Sequence, residues 1–246
     1  MWDDAKQLNA IAGGLALVAF ALLLWGSISW AARQPSFEFR EVVVTGTLVR
    51  ADPAQLELIV RRELSGTFFT MNLETARASV AKLPWVRSVA LRRQWPQRLE
   101  MTIEEHVPFG RWNDTALVDT LGGVFAADYE GVLPQFAGPP ERAGEIADRY
   151  REATATLAPL GLAVDAVRLS ARGGWQITAS GPSSRLVIEL GREEPSARLE
   201  RFVAAYERTI GALARAGTSI EHVDLRYRNG FAARVPGFRE KTRKKA

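Results

Sequence analysis

The chain reads as an α+β protein: a single N-terminal transmembrane helix, then a β-α-α-β-β domain, then a mixed or antiparallel β-sheet domain with attached helices. Three observations lead there. The run from Gln7 to Ala32 is 26 residues long and carries no charge. About 70 residues after it show one strand, two capped helical patterns and two more strands. From Val107 onward, short apolar runs divided by turn signals take over, interrupted by two helical stripes.

A helix crossing the ~30 Å hydrocarbon core needs about 20 mostly apolar residues, and QLNAIAGGLALVAFALLLWGSISWAA supplies them with room for tilt. Its backbone N–H and C=O groups pair within the helix, so it can stand alone in lipid. Trp25 and Trp30 lie toward its downstream end, where indole rings favour the headgroup layer. A buried core helix is rarely free of charge for so long. A cleaved signal peptide would use Ser29-Trp30-Ala31 as its small-x-small site. A signal's apolar region, however, usually runs to only about 7–15 residues, and here Asp3 and Asp4 outnumber Lys6 before it. An interfacial amphipathic helix needs a charged face, and this run has none. Residues 10–32 are therefore read as an uncleaved anchor. Charge does not orient it: Lys6 and the amino terminus precede the run, Arg33 and Arg40 follow it.

The first soluble domain opens with a strand from Phe37 through Val42-Val43-Val44, ended by Gly46. Asp52 and Pro53 have the chemistry of an N-cap and first helical residue, and Leu56, Ile59, Val60 and Leu64 follow on one face. Asn72 caps a second helix with Leu73, Ala76, Val80 and Leu83 inward, and Pro84 stops it. Val86, Val89 and Leu91 begin a strand that breaks at Trp95-Pro96. Leu99, Met101 and Ile103 alternate with Glu100, Thr102 and Glu104 on the return.

In the second domain, helices are expected from about Ala143 to Leu157 and from Ser196 to Ala214. Strands are expected at Val164–Leu169, Trp175–Thr178, Leu186–Leu190 and Ile220–Tyr227, largely antiparallel. The basic residues Arg239, Lys241, Arg243, Lys244 and Lys245 near the end are read as a solvated, disordered tail over 237–246. No aromatic interleaves with them to stack on bases, so no nucleic-acid role is expected. A composition of 47% hydrophobic and 24% charged residues, with net charge +4, is that of an ordinary globular chain.

Chemistry is sparse. With no cysteine there is no disulfide, thiolate or cysteine-based zinc site. His106, beside Glu104 and Glu105, invites a metal reading, but its only fellow histidine is His222, and two distant histidines make a poor zinc site. No G-x-S-x-G elbow is present, and Gly122-Gly123 and Gly173-Gly174 fit hairpin turns and no phosphate loop. No catalytic, cofactor or metal residues are assigned, and the chain is not expected to be an enzyme. Trp85, Trp95, Trp112 and Trp175 are read as packing residues. Val223 to Tyr227, the turn Arg228-Asn229-Gly230, and Phe231 to Val235 read as a hairpin closing the domain. Its outer strand is either an open template for an incoming strand or an ordinary edge protected by charge; the pattern alone does not choose.

Seven blocks carry a resemblance. They are LPWV (Leu83–Val86), RRQWP (Arg92–Pro96), EEHVPFGRWND (Glu104–Asp114), LVD with Gly123 and Phe125 (from Leu117), IELGR (Ile188–Arg192), RLERFV (Arg198–Val203) and VDLRYRNG (Val223–Gly230). In this order and spacing they resemble the FtsQ/DivIB family of bacterial cell-division proteins. The resemblance implies a short cytoplasmic end at 1–9, the anchor at 10–32, a POTRA domain at 37–106 and a β domain at 107–236. It also implies an inner-membrane, single-pass protein at the division septum with its bulk in the periplasm.

The implied role is a non-enzymatic divisome scaffold. It would receive FtsB, within the FtsB–FtsL pair, by strand addition at the last strands of the β domain, and so link early division proteins to septal peptidoglycan synthesis. Tyr227, Asn229, Gly230 and Phe231 fall on the family's binding strand, with Arg226 beside them, and Arg172 matches an arginine that pairs with an acidic partner residue. Two departures stand out: Val235 occupies the place of a usual tryptophan, and Phe231 that of a small residue. The POTRA domain is expected to contact other inner-membrane division proteins. The competing class is a POTRA-bearing envelope transport or secretion component, which would carry a β-barrel or further POTRA units. A periplasmic hydrolase would need convergent titratable groups, and none are evident.

Overall fold

A computed structural model describes residues 5–46, 48–63, 66–181 and 185–235 of the chain. The basic stretch 237–246 and Leu64 lie outside the described residues. The chain divides into two compact units, Met1–Glu105 and His106–Ala246.

The first unit begins with α1 (Ala5–Ala32), 28 residues long. Its segment Asn9–Ala32, of mean hydropathy 2.2, is the single helix among the described residues long and apolar enough to cross a membrane, and none of its most apolar stretch is buried by protein. Phe37 does not start a strand: Pro35–Phe37 form a 3-10 turn, with Glu38 N–H bonded to the Pro35 carbonyl at 3.1 Å. Proline at the first position presets the turn, so pairing in β1 starts only at Glu41 (Glu41–Thr45).

α2 (Pro53–Glu63) starts as its cap chemistry dictates: the Asp52 side chain accepts the Ala54 N–H at 2.9 Å. α3 (Leu73–Val80) is capped by Asn72, whose Oδ1 accepts from Glu74 and Thr75 N–H groups. β2 (Val86–Gln94) and β3 (Arg98–Glu105) form an antiparallel hairpin, and β1 lies parallel to β3, giving the order β1-β3-β2. Leu56, Val80, Leu83, Val86, Val89, Met101 and Ile103 form the core between helices and sheet. This is the expected β-α-α-β-β unit. Trp95 departs from expectation. At the hairpin turn it is 66% exposed and packs no core.

Among the described residues the second unit is built on one nine-stranded sheet covered by helices. Its first half comprises β4 (Pro108–Trp112), β5 (Ala116–Asp119), β6 (Val124–Phe125), β7 (Gln135–Ala137), α4 (Ala143–Leu157), β8 (Ala163–Leu169) and β9 (Trp175–Ser180). Then follow β10 (Arg185–Gly191), α5 (Pro195–Tyr206), α6 (Ile210–Arg215), β11 (His222–Asp224) and β12 (Ala232–Arg234). The strand order is β12-β11-β10-β9-β8-β7-β4-β5-β6. The sheet is mixed: β4–β7, β7–β8 and β10–β11 are parallel. Two of these pairs follow from the helices between them, since a strand-helix-strand crossover returns the second strand parallel to the first. α4 packs on β7 and β8, α5 on β10, and the two helices touch, so they cover one face. Phe136, Ile146, Leu157, Ile177, Ile188, Leu199 and Phe202 are almost wholly buried there.

The helix expected over Ser196–Ala214 is broken. α5 stops at Tyr206, and Thr209 adopts φ −122°, ψ −92° with its hydroxyl bonded to the Ala205 carbonyl at 2.7 Å. The hydroxyl satisfies a backbone acceptor that the next turn would have used, and the chain redirects to bury Ile210. The strand expected to reach Tyr227 ends at Asp224, for a reason that lies in the site itself.

Candidate functional site

β11 and β12 close the sheet. β11 runs parallel to β10 with Ile188 opposite Val223 and Glu189 opposite Asp224. β12 pairs antiparallel with β11, Val223 opposite Ala233 and Asp224 opposite Ala232. Among the described residues β12 has a neighbouring strand on one side only, and Ala232, Ala233 and Arg234 are all exposed. Two alanines on that strand leave its outer backbone open to an incoming strand.

The segment joining the two strands is a loop with fixed ends. The Asp224 carboxylate accepts the Arg226 backbone N–H at 3.0 Å, and the Arg226 guanidinium from Nε at 2.9 Å and from Nη2 at 2.7 Å. This clamp turns the chain out of the strand at Leu225 and so accounts for the short β11. It also holds the Asp224 carboxyl below the usual carboxylate range, the Arg226 hydrogen bond outweighing burial. Leu225 is buried, its N–H on the Glu189 carbonyl at 2.8 Å. At the far end the Phe231 ring meets Phe202 edge-on, centroids 5.7 Å apart, and Val235 packs against the same core. Between those ends Tyr227 is 57% exposed, and Asn229 and Gly230 are exposed.

Arg172 sits in the tight turn between β8 and β9. Ser170 N–H bonds the Gly174 carbonyl, Gly173 N–H bonds the Ser170 carbonyl, and Gly173 takes φ +81°. The Arg172 guanidinium has no hydrogen-bond or ion-pair partner among the described residues. Parallel pairing of β10 with β11 brings this turn, Gly191 and Arg226 to the same end of the sheet. There they line one cavity of about 510 Å³, in which five arginines face two glutamates, Glu189 and Glu193. A second depression of about 270 Å³ is lined by Phe202, Leu225, Tyr227, Asn229, Gly230 and Phe231. Arg198 borders both.

The structure thus gathers the expected residues into two adjoining groups, Arg172 with Arg226 and Tyr227 with Asn229, Gly230 and Phe231. Val235 lies apart from both, just past β12. Tyr227, Asn229 and Gly230 occupy the loop and not a strand. Arg226 is held internally by Asp224, while Arg172 has no partner among the described residues. Arg198 is not among the residues expected at the site. Its side chain is only 12% exposed and reaches back to the Leu190 carbonyl at 2.6 Å, so it is a wall between the two depressions. Only the fold reveals that return.

The acidic residues around His106 disperse. Glu105 accepts from the backbone N–H groups of Val49, Arg50 and Ala51, Glu104 pairs with Arg87 and Ser88, and His106 Nδ1 meets Asp119 at 2.7 Å. Among the described residues no group of three His, Asp or Glu side chains gathers as a metal site.

Comparison with known proteins decides the family. Residues 110–226 match the family described as cell division protein FtsQ/DivIB, C-terminal, and residues 37–106 match the POTRA domain, FtsQ-type. A relative from Nitrosospira multiformis, named cell division protein FtsQ, is 36% identical over 95% of this chain and 99% of its own. The chain belongs to the FtsQ/DivIB family. Other FtsQ proteins are similar to it, from Burkholderia pseudomallei (35% identical over 97% of this chain and 96% of the relative) and Escherichia coli (32% over 85% and 76%). The FtsQ C-terminal match ends at Arg226, so β12 and most of the loop before it lie beyond that stretch. A role in cell division, and an architecture of one candidate membrane span, a POTRA domain and a mixed sheet, follow from membership and fold together.

Proposed function

We propose that the chain is a non-enzymatic divisome scaffold that recruits FtsB–FtsL by adding a strand of FtsB to β12. The supporting observation is the exposed edge of β12, together with Arg172, which has no partner among the described residues and lines one cavity with the clamped Arg226. Backbone bonds along β12 would hold the incoming strand, and Arg172 would take a carboxylate of the same partner. α1 anchors the protein in the inner membrane with residues 1–9 cytoplasmic, the remainder lies in the periplasm at the septum, and the POTRA domain contacts other inner-membrane division proteins. By holding FtsB–FtsL there, the scaffold connects early division proteins with septal peptidoglycan synthesis. The POTRA domain spans 37–106 and the β domain 107–236.

The test uses the full chain in detergent and a peptide from the periplasmic segment of FtsB, N-methylated on alternate backbone nitrogens in two phases. Methylating the phase that faces β12 removes its donors and abolishes binding; methylating the other phase leaves binding intact. Equal binding by both peptides would falsify strand addition. Arg172→Glu, with folding checked by circular dichroism, is expected to cost about 2 kcal/mol, roughly thirtyfold in Kd.

A further inference from the structure

One feature of the first unit serves neither its core nor the sheet edge. Phe37, Phe39, Phe68, Phe69 and Trp95 form a connected set of rings. The Phe37–Phe69 centroids lie 5.2 Å apart, Phe68–Phe69 5.3 Å, Phe68–Trp95 5.6 Å and Phe39–Phe68 5.8 Å. Rings so packed normally lie inside a protein, yet Phe69 is 53% and Trp95 66% exposed.

The location of the set specifies what covers it. Thr67 Oγ1 donates to the carbonyl of Ala32, the last residue of α1, at 2.6 Å. The Phe68 N–H donates to the Phe37 carbonyl at 2.7 Å. The Gln97 side-chain amide donates to the Ser36 carbonyl, so the β2–β3 turn that carries Trp95 touches the same few residues. The polar layer on each side of a bilayer is about 5–8 Å deep, and a helix rises about 1.5 Å per residue. Residues tied to Ala32 and to the turn after it therefore fall within that layer when α1 spans the membrane. Trp25 and Trp30, both on α1, lie just upstream, and the exposed Arg33 and Arg40 flank Phe37 and Phe39 along the chain.

We propose that this aromatic cluster is a lipid-contact surface, seated in the headgroup layer of the membrane that α1 crosses and holding the POTRA domain against it. The proposal rests on α1 being a membrane span. Aromatic rings favour the interface because their faces are apolar while their edges tolerate water, and arginines close by can meet lipid phosphates. The occupant is the bilayer itself, because the covalent and hydrogen-bonded ties to Ala32 leave the cluster no more than a few residues from hydrocarbon.

The chain lacks cysteine, so a single introduced cysteine carries a nitroxide without background. Four variants of the full chain, Phe69→Cys, Trp95→Cys, Leu22→Cys and Val132→Cys, are labelled in nanodiscs of phosphatidylethanolamine and phosphatidylglycerol. Collision rates with oxygen, which enriches in lipid, are compared with those of a water-soluble nickel chelate. Labels at 69 and 95 are expected to lie between the lipid value at 22 and the aqueous value at 132. Aqueous values at 69 and 95 with a lipid value at 22 overturn the proposal and leave the anchor standing. An aqueous value at 22 overturns the anchor and the proposal together. Spin–spin broadening with loss of both collision rates at 69 shows a second copy over the rings and also overturns it. Arg40→Cys removes no ring and is expected to read as interfacial; an aqueous value there decides against the proposal even should the ring variants unfold.

Discussion

Gly191 ends β10 with φ +74°, and a Cβ there would lie 2.7 Å from Arg198 Nη1 and 3.0 Å from Arg226 Cγ. The crowding atoms belong to flexible side chains and can move, but the backbone cost of a left-handed Cβ residue, about 1–2 kcal/mol, cannot be relieved. Gly191→Ala should lower unfolding free energy in urea by about that amount and loosen the Arg226 clamp on Asp224. Asp119 is the second residue on which a local structure depends. Its carboxylate, 3% exposed, accepts from His106 Nδ1 and from the backbone N–H groups of Leu121 and Gly123, while His106 stacks on Phe125 at 4.1 Å. Burial pushes this carboxyl up, yet the hydrogen bonds together pull it further down, leaving it below its ordinary 3.8. A carboxyl depressed in the folded state contributes stability above the unfolded value and loses it as pH falls through the folded value. Asp119→Asn should therefore cost about 1–3 kcal/mol at pH 7, with the difference from wild type shrinking below about pH 4. A gap that persists unchanged at pH 2 would assign the loss to packing and not to charge.

Among elements, those that could be read in advance were the ones whose signals are local. α3 begins at the Asn72 cap and α4 spans Ala143–Leu157 as the apolar stripe requires, because caps and 3.6-residue periodicity act within a few residues. The breaks were set by contacts that no window contains. The apolar stripe continues from Tyr206 to Ile210 without interruption, so nothing local announces that Thr209 will turn the chain. β11 looked like a strand up to Tyr227 because the Asp224–Arg226 clamp is a side-chain geometry and not a pattern. The candidate site was legible in the same measure. Its residue types were visible, but the meeting of Arg172 with Arg226, over fifty positions apart in sequence, required the parallel β10–β11 pairing. The Phe231–Phe202 contact gives the loop its second fixed end. Phe231→Ala should leave the fold intact while lowering amide-exchange protection in β12; unchanged protection would mean that Val235 and the backbone pairing alone hold it.

At the scale of the molecule, a POTRA unit and a sheet unit share one chain behind a helix able to span a bilayer. Full-length protein should stay with membranes through an alkaline wash, and removal of residues 1–32 should release it. Release of the intact chain by that wash would argue against a spanning helix. The brevity of β12 also has a bearing on time. Three residues with small or flexible side chains offer an arriving strand only a few backbone hydrogen bonds, each worth about 0.5–1.5 kcal/mol net. A strand held there alone departs quickly, so the residence time falls to whatever side chains grip beside the edge. An edge this short gives two copies of the chain little to pair through, and under the proposed strand addition a bound strand would exchange rapidly unless side chains beside the edge also held it.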